Sequence, residues 1–168
     1  MVTASTRATA PGSPRRRGPA GKRARLRVLV SGTASDAHTW NLVFLQLLLE
    51  EAGHRVHNIG ACVPEELLVD ECLRHQPDLV VISSVNGHGH QDGTRAVWAL
   101  RAEPALRGIT AVIGGKLGIS AGLGDDAHDA LLAAGFDAVF DDSAGSVPSF
   151  QAFVRALSIR DLPLRVAL

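Results

Sequence analysis

From residue 26 onward, apolar positions follow two alternating rhythms. Short runs of β-branched residues are separated by longer stretches with apolar side chains three and four apart. The first rhythm marks a strand buried on both faces, and the second marks a helix with one packed face. Residues 26–32 read as a strand. Residues 40–52 read as a helix through Trp40, Val43, Phe44, Leu47 and Leu48, with Gly53 just beyond its last turn. Residues 55–60 form a second strand, and Pro64 opens a second helix that runs to His75. The alternation continues with strands at 78–83, 109–113 and 137–140 and helices at 92–102, 125–134 and 147–157, the fourth helix closed by Gly135.

Five strands alternating with five helices predict an α/β protein whose parallel sheet is covered on both faces. The connection lengths suit a flavodoxin-like (Rossmann-like) doubly wound sheet in the order 2-1-3-4-5. The run Leu79-Val80-Val81-Ile82 is the most apolar and is expected at the centre of the sheet. Trp40 and Trp98 fall on apolar helical faces and are expected to anchor the core. Ligands of such folds lie at the carboxyl ends of the strands, near the switch point between strands 1 and 3.

Composition divides the chain. Residues 1–27 hold eight of the seventeen basic side chains and no acidic one, so residues 28–168 carry nine basic against seventeen acidic. Residues 1–25 lack large apolar side chains and are expected to form a disordered basic arm, ahead of a folded unit at 26–160 and a tail at 161–168. The acidic body does not suit a nucleic-acid-binding module. No apolar run reaches the roughly 18–20 residues of a membrane span. Two cysteines, Cys62 and Cys72, are too few for a disulfide scaffold and read as ordinary thiols, so a cytoplasmic setting is expected.

The loops at the predicted ligand edge are rich in small residues. They are residues 31–40 after strand 1, residues 83–90 after strand 3 and residues 114–122 after strand 4. Neither a Gly-x-Gly-x-x-Gly turn after strand 1 nor a P-loop is present. The distinctive element is Asp36-Ala37-His38. A carboxylate behind a histidine sets its tautomer and raises its basicity as a metal ligand. No further ligands stand at zinc spacing, so one histidine suits a metal already held by a macrocycle. On spacing alone Asp36 could equally cap the following helix, with His38 simply exposed. His88 and His90 read as solvated loop histidines, and Glu65 and Glu66 as dipole-complementing residues of a first helical turn.

Taken together, these loops resemble the cobalamin-binding domain shared by cobalamin-dependent mutases and methyltransferases. That family's Asp-x-His-x-x-Gly, Ser-x-Leu and Gly-Gly motifs match Asp36-Ala37-His38-Thr39-Trp40-Asn41, Ser83-Ser84-Val85 and Gly114-Gly115, in order and after strands 1, 3 and 4. Ser35-Asp36-x-His38, Asn58-Ile59-Gly60, Pro64-x-Glu66 and Ser83-Ser84-x-x-Gly87-x-Gly89 look most like the small subunits of glutamate (methylaspartate) mutases. Asn41 stands where the family has glycine and Val85 where it has leucine. Asp141-Asp142-Ser143-Ala144-Gly145 replaces a Pro-Gly-Thr-Pro-like stretch.

The resemblance implies that His38 displaces the nucleotide base of adenosylcobalamin and ligates cobalt, with Asp36 hydrogen-bonded behind it. It also implies that Ser83 and Val85 line a channel for the displaced tail, beside Gly114 and Gly115, with Ser84 among the cofactor-binding residues. Ser35, Ala37, Thr39, Lys116, Leu117, Gly118 and Ile119 would complete the cofactor contacts. No catalytic residue is expected on this chain. A separate TIM-barrel large subunit would hold the amino-acid substrate and, with radical chemistry from the cofactor, interconvert L-glutamate and threo-3-methylaspartate. The alternatives are a corrinoid methyl-transfer protein, or a non-catalytic cobalamin carrier or sensor.

Overall fold

The computed structural model describes residues 24–118 and 125–159. Most of the predicted arm, the predicted C-terminal tail and Ile119 lie outside them. The elements are β1 (Arg27–Gly32), α1 (Trp40–Glu51), β2 (Arg55–Asn58), α2 (Glu65–His75), β3 (Leu79–Ser84), α3 (Gly89–Ala102), β4 (Thr110–Gly115), α4 (Asp125–Ala134), β5 (Ala138–Phe140) and α5 (Ser146–Ile159). A single 3₁₀ turn, Pro104–Leu106, precedes β4. The five strands are all parallel and lie in the order β2-β1-β3-β4-β5, as expected for a flavodoxin-like sheet.

β3 is the central strand and is buried along its whole length. Its side chains alternate between two cores, which explains its unbroken apolar run. Val80 and Ile82 face a core closed by Leu68 and Cys72 of α2, Val97 and Leu100 of α3 and Leu131 of α4. Leu79 and Val81 face the other core, closed by Leu42 and Leu49 of α1 and by Phe150 and Val154 of α5. Gly53 (φ 93°) and Gly135 (φ 129°) adopt the left-handed backbone expected beyond the ends of α1 and α4.

Three expectations need correction. Trp40 and Trp98 are not core anchors: they are 64% and 60% exposed. The core side of α1 is set by Asn41, Leu42 and Leu49, and that of α3 by Ala96, Val97 and Leu100. α3 begins at Gly89, three residues early, because Gly89 packs beneath Leu117 and the His90 N–H donates to the Leu117 carbonyl. Ala24, assigned to the arm, donates its N–H to the Ser158 carbonyl, so residue 24 packs with the folded unit. Among the described residues, no helix is long and apolar enough to cross a membrane.

Candidate functional site

β1 has β2 on one side and β3 on the other, so the connections leaving β1 and β3 run to opposite faces and their loops meet at the carboxyl edge. Backbone bonds anchor the first loop on the β2 side. The Gly32 N–H donates to the Gly60 carbonyl, and the Cys62 N–H to the Asp36 carbonyl. The Asp36 carboxylate anchors it on the β3 side. Its Oδ2 accepts from the Val85 N–H at 2.6 Å, and the Ser84 hydroxyl lies 3.2 Å away. Its Oδ1 accepts from the His38 N–H at 3.0 Å and faces His38 Nδ1 at 2.6 Å.

This bonding decides between the two readings of Asp36. The carboxylate makes no capping bond to α1, whose N-cap is Thr39 without a side-chain bond. Instead it grips the imidazole. Burial pushes the Asp36 carboxyl up, but the N–H groups of Val85 and His38, the His38 ring and the Ser84 hydroxyl together hold it below its ordinary value. An ionised carboxylate behind Nδ1 places the ring proton there and leaves Nε2 with its lone pair. The His38 side chain is half exposed while Asp36 is sealed beneath it. A rigidly held imidazole with one free nitrogen can donate to a metal.

A second network holds Ser35. Its N–H and hydroxyl both donate to Asp92 Oδ2, at 3.1 and 2.5 Å. Asn86 Nδ2 donates to the Ser35 carbonyl at 3.0 Å. Asp92 is buried, and Arg95 clamps it at 2.5 Å and also reaches Glu65 at 3.0 Å. Burial raises the Asp92 carboxyl, but the Ser35 donors and the Arg95 charge bring it below the usual range. Asp92, Asn86 and Arg95 escaped the sequence reading. The bonds from Asp92 and Asn86 to Ser35 span more than fifty residues, and although Asp92 and Arg95 stand three apart on α3, no local spacing marks the link to Ser35.

Beside these loops, a cavity of about 430 Å³ opens between the ends of β3 and β4 and the helices α1 and α5. Ser83, Val85, Gly114, Gly115 and Lys116 line it, so the structure brings five of the predicted residues to one wall. The remaining walls are largely aromatic and aliphatic, with Phe44, Phe140 and Phe150 prominent. Asn41 also faces the cavity, and its Nδ2 donates to Ser83 Oγ at 2.8 Å. Its Oδ1 is buried without a partner among the described residues. Such an orphaned acceptor is costly unless a donor is supplied from elsewhere.

The other predicted residues sit differently. Ala37 and Thr39 are exposed beside His38, and Gly118 is half buried. Leu117 turns into the core under α3. His88 is exposed as expected, whereas His90 is partly buried on α3 and its Nε2 has no partner among the described residues, so it is not a solvated loop histidine. Glu65 and Glu66 occupy the first turn of α2 as expected. Cys62 is exposed, and burial pushes the Cys72 thiol up to about 12.

Known proteins resemble this chain in sequence and fold. Residues 26–147 match the B12 binding domain family. The glutamate mutase sigma subunit of Halobacterium salinarum is 32% identical over 132 residues, which cover 77% of this chain and 83% of that one. The sigma subunit of Treponema denticola is 29% identical over 116 residues, covering 69% and 83%. Among solved structures, a novel cobalamin-binding protein from Desulfitobacterium hafniense superposes with a TM-score of 0.62 at 21% identity, covering 79% of this chain and 60% of that chain. The chemotaxis response regulator CheY4 of Vibrio cholerae gives 0.59 at 13% identity, covering 77% and 98%, a likeness of fold alone. The Asp36–His38 pair, the three small-residue loops and the matched span of sequence therefore converge: this chain belongs to the B12 binding domain family and, within it, groups with the glutamate mutase sigma subunits.

Proposed function

We propose that this chain is the cobalamin-binding subunit of a carbon-skeleton mutase, holding adenosylcobalamin with its nucleotide base displaced and His38 Nε2 on cobalt. The observation that carries the reading is the His38 imidazole, held from behind by a sealed, ionised Asp36 on the loop next to the cavity. Two further features of the chain fit such a group. The glycine pair at the end of β4 leaves the cavity wall without side chains, where a Cβ on Gly114 would lie 2.9 Å from the Phe140 carbonyl. Asn41 Nδ2 holds the Ser83 hydroxyl in place on the cavity wall.

On this reading, Asp36 orients His38 and raises its donor strength, while Ser35, Asn86 and Asp92 keep the loop from yielding as the ligand seats. The cavity between β3, β4, α1 and α5 takes the nucleotide tail, with Ser83, Val85, Gly114, Gly115 and Lys116 along it. When bound, adenosylcobalamin supplies radical chemistry through homolysis of its cobalt–carbon bond. The substrate pocket belongs to a separate TIM-barrel subunit, and the reaction is the interconversion of L-glutamate and threo-3-methylaspartate in the cytoplasm. The chain mixed with adenosylcobalamin and a glutamate mutase large subunit should form threo-3-methylaspartate, and either component alone should not. Tight cobalamin binding without turnover with any such partner would overturn the mutase assignment.

Two variants test the roles of individual residues. Asp36→Asn should weaken cobalamin binding by roughly tenfold or more, the scale of losing an outer partner of a metal ligand. Equal affinity in a spectrophotometric titration would show that the carboxylate only shapes the loop. Asn41→Gly should weaken binding by about 0.5–1.5 kcal/mol, because it removes the hydrogen bond that fixes Ser83 on the cavity wall. Tighter binding by the glycine variant would instead mark the side chain as a steric obstacle in the cavity.

A further inference from the structure

His57, Glu71 and His75 form a cluster on the outer edge of the sheet, apart from the cofactor loops. His57 pairs in register with Leu29, whose side chain faces the core beneath α2, so His57 emerges on the α2 side of edge strand β2. Glu71 and His75 stand one turn apart on α2 and therefore share a face. Both imidazoles converge on one oxygen: His57 Nε2 and His75 Nε2 each lie 3.1 Å from Glu71 Oε2. The rings stack with centroids 3.8 Å apart. The other carboxylate oxygen is taken by Arg74 at 2.5 Å, which holds Oε2 toward the histidines. Glu71 is largely buried, and its carboxyl lies below its ordinary value, chiefly through the His57 hydrogen bond and then the nearby positive side chains.

We propose that these three side chains form a binding site for a divalent transition metal of the zinc class. Two neutral imidazoles and one carboxylate are the donor set of borderline cations, whereas calcium and magnesium prefer oxygen throughout. Distances of 3.1 Å between donor atoms, with metal–ligand bonds of about 2.0–2.1 Å, correspond to a ligand–metal–ligand angle near 100°, close to tetrahedral. Both histidines are partly exposed, so water can complete the coordination shell. Without metal, His57 is hydrogen-bonded to this oxygen and His75 Nε2 lies 3.1 Å from it. One cation at this point bridges the three side chains and tethers β2 to α2 across fourteen residues of sequence. That tether encloses the segment whose Gly60 carbonyl and Cys62 N–H anchor the β1 loop, so metal binding stiffens the support beneath Asp36.

The test uses the full chain free of cobalamin and stripped of metal, so it does not depend on the cofactor assignment. Titration with zinc chloride, followed by calorimetry, should show one equivalent bound and a rise in thermal midpoint. His57→Gln and His75→Gln should each weaken zinc binding at least tenfold while leaving the metal-free midpoint near that of the parent. His88→Gln should bind as the parent does. Arg74→Gln should bind zinc several-fold more tightly, because it removes a positive charge and a competitor for the carboxylate. Absence of a zinc-dependent rise in the parent, or unchanged affinity in both histidine variants of the cluster, would overturn the proposal.

Discussion

His38→Ala should fold normally and lose the histidine-ligated form of bound cobalamin, with affinity falling at least tenfold. The side chain is half exposed on a loop and supports no core, so its removal leaves the scaffold intact. What disappears is an imidazole on the cofactor loop whose Nδ1 is committed to the buried Asp36 carboxylate. His88, the other exposed histidine at this edge, has no comparable carboxylate among its bonds, so it gives no ready substitute. The decisive measurement is electron paramagnetic resonance of the reduced cofactor bound to chain labelled with ¹⁵N-histidine. The nitrogen splitting of the parent should change with the label, and that of the alanine variant should not respond to it. A parent spectrum indifferent to the label would show that histidine does not ligate cobalt, and the proposed binding mode would fail.

The framework of the fold was legible because its physical causes are local. A strand buried on both faces must be apolar at consecutive positions, and β3 is so along its length. The left-handed Gly53 and Gly135 follow from chain chemistry within one turn. The tryptophans show where local reasoning stops. α1 carries apolar residues on more than one face, so spacing alone allows several inward faces, and packing chose Leu42 and Leu49 over Trp40 and Leu47. The exposed Trp40 and Phe44 instead flank the cavity.

Within the site, the sequence marked Asp36 and His38 because their bond spans two residues. It could not reveal that Ser84 and Val85 complete the carboxylate's shell, since those bonds span 48 and 49 residues. Asp92 looked like the first residue of a helix, and its buried link to Ser35 exists only once α3 has docked. The His57–Glu71–His75 cluster escaped for the same reason: the helical pair is visible by spacing, but the strand histidine joins it only through the sheet edge.

Gly115→Ala should destabilise the chain by about 2–4 kcal/mol and weaken cobalamin binding at the same time. Gly115 has φ of +105°, a backbone region that costs an L side chain about 1–3 kcal/mol. Steric conflict adds to that strain. A Cβ at this position would run into the Ser84 carbonyl oxygen and lie 3.2 Å from the Ser84 carbonyl carbon. The obstacle is backbone of the neighbouring strand, at the last paired position of β3 and β4, so it cannot rotate aside as a side chain would. Relief requires the strand ends to separate. Ser84 and Val85 hold the Asp36 carboxylate from that strand end, so separation slackens the grip on His38 and couples folding to ligand binding. Gly108→Ala is the matched control: nothing lies within 4 Å of its Cβ position. Urea unfolding followed by circular dichroism should place Gly108→Ala within about 0.5–1 kcal/mol of the parent and Gly115→Ala well below it. If the two variants unfold together, the β3–β4 junction tolerates a side chain, and the close approach of these strands cannot be what keeps the cofactor loop in place.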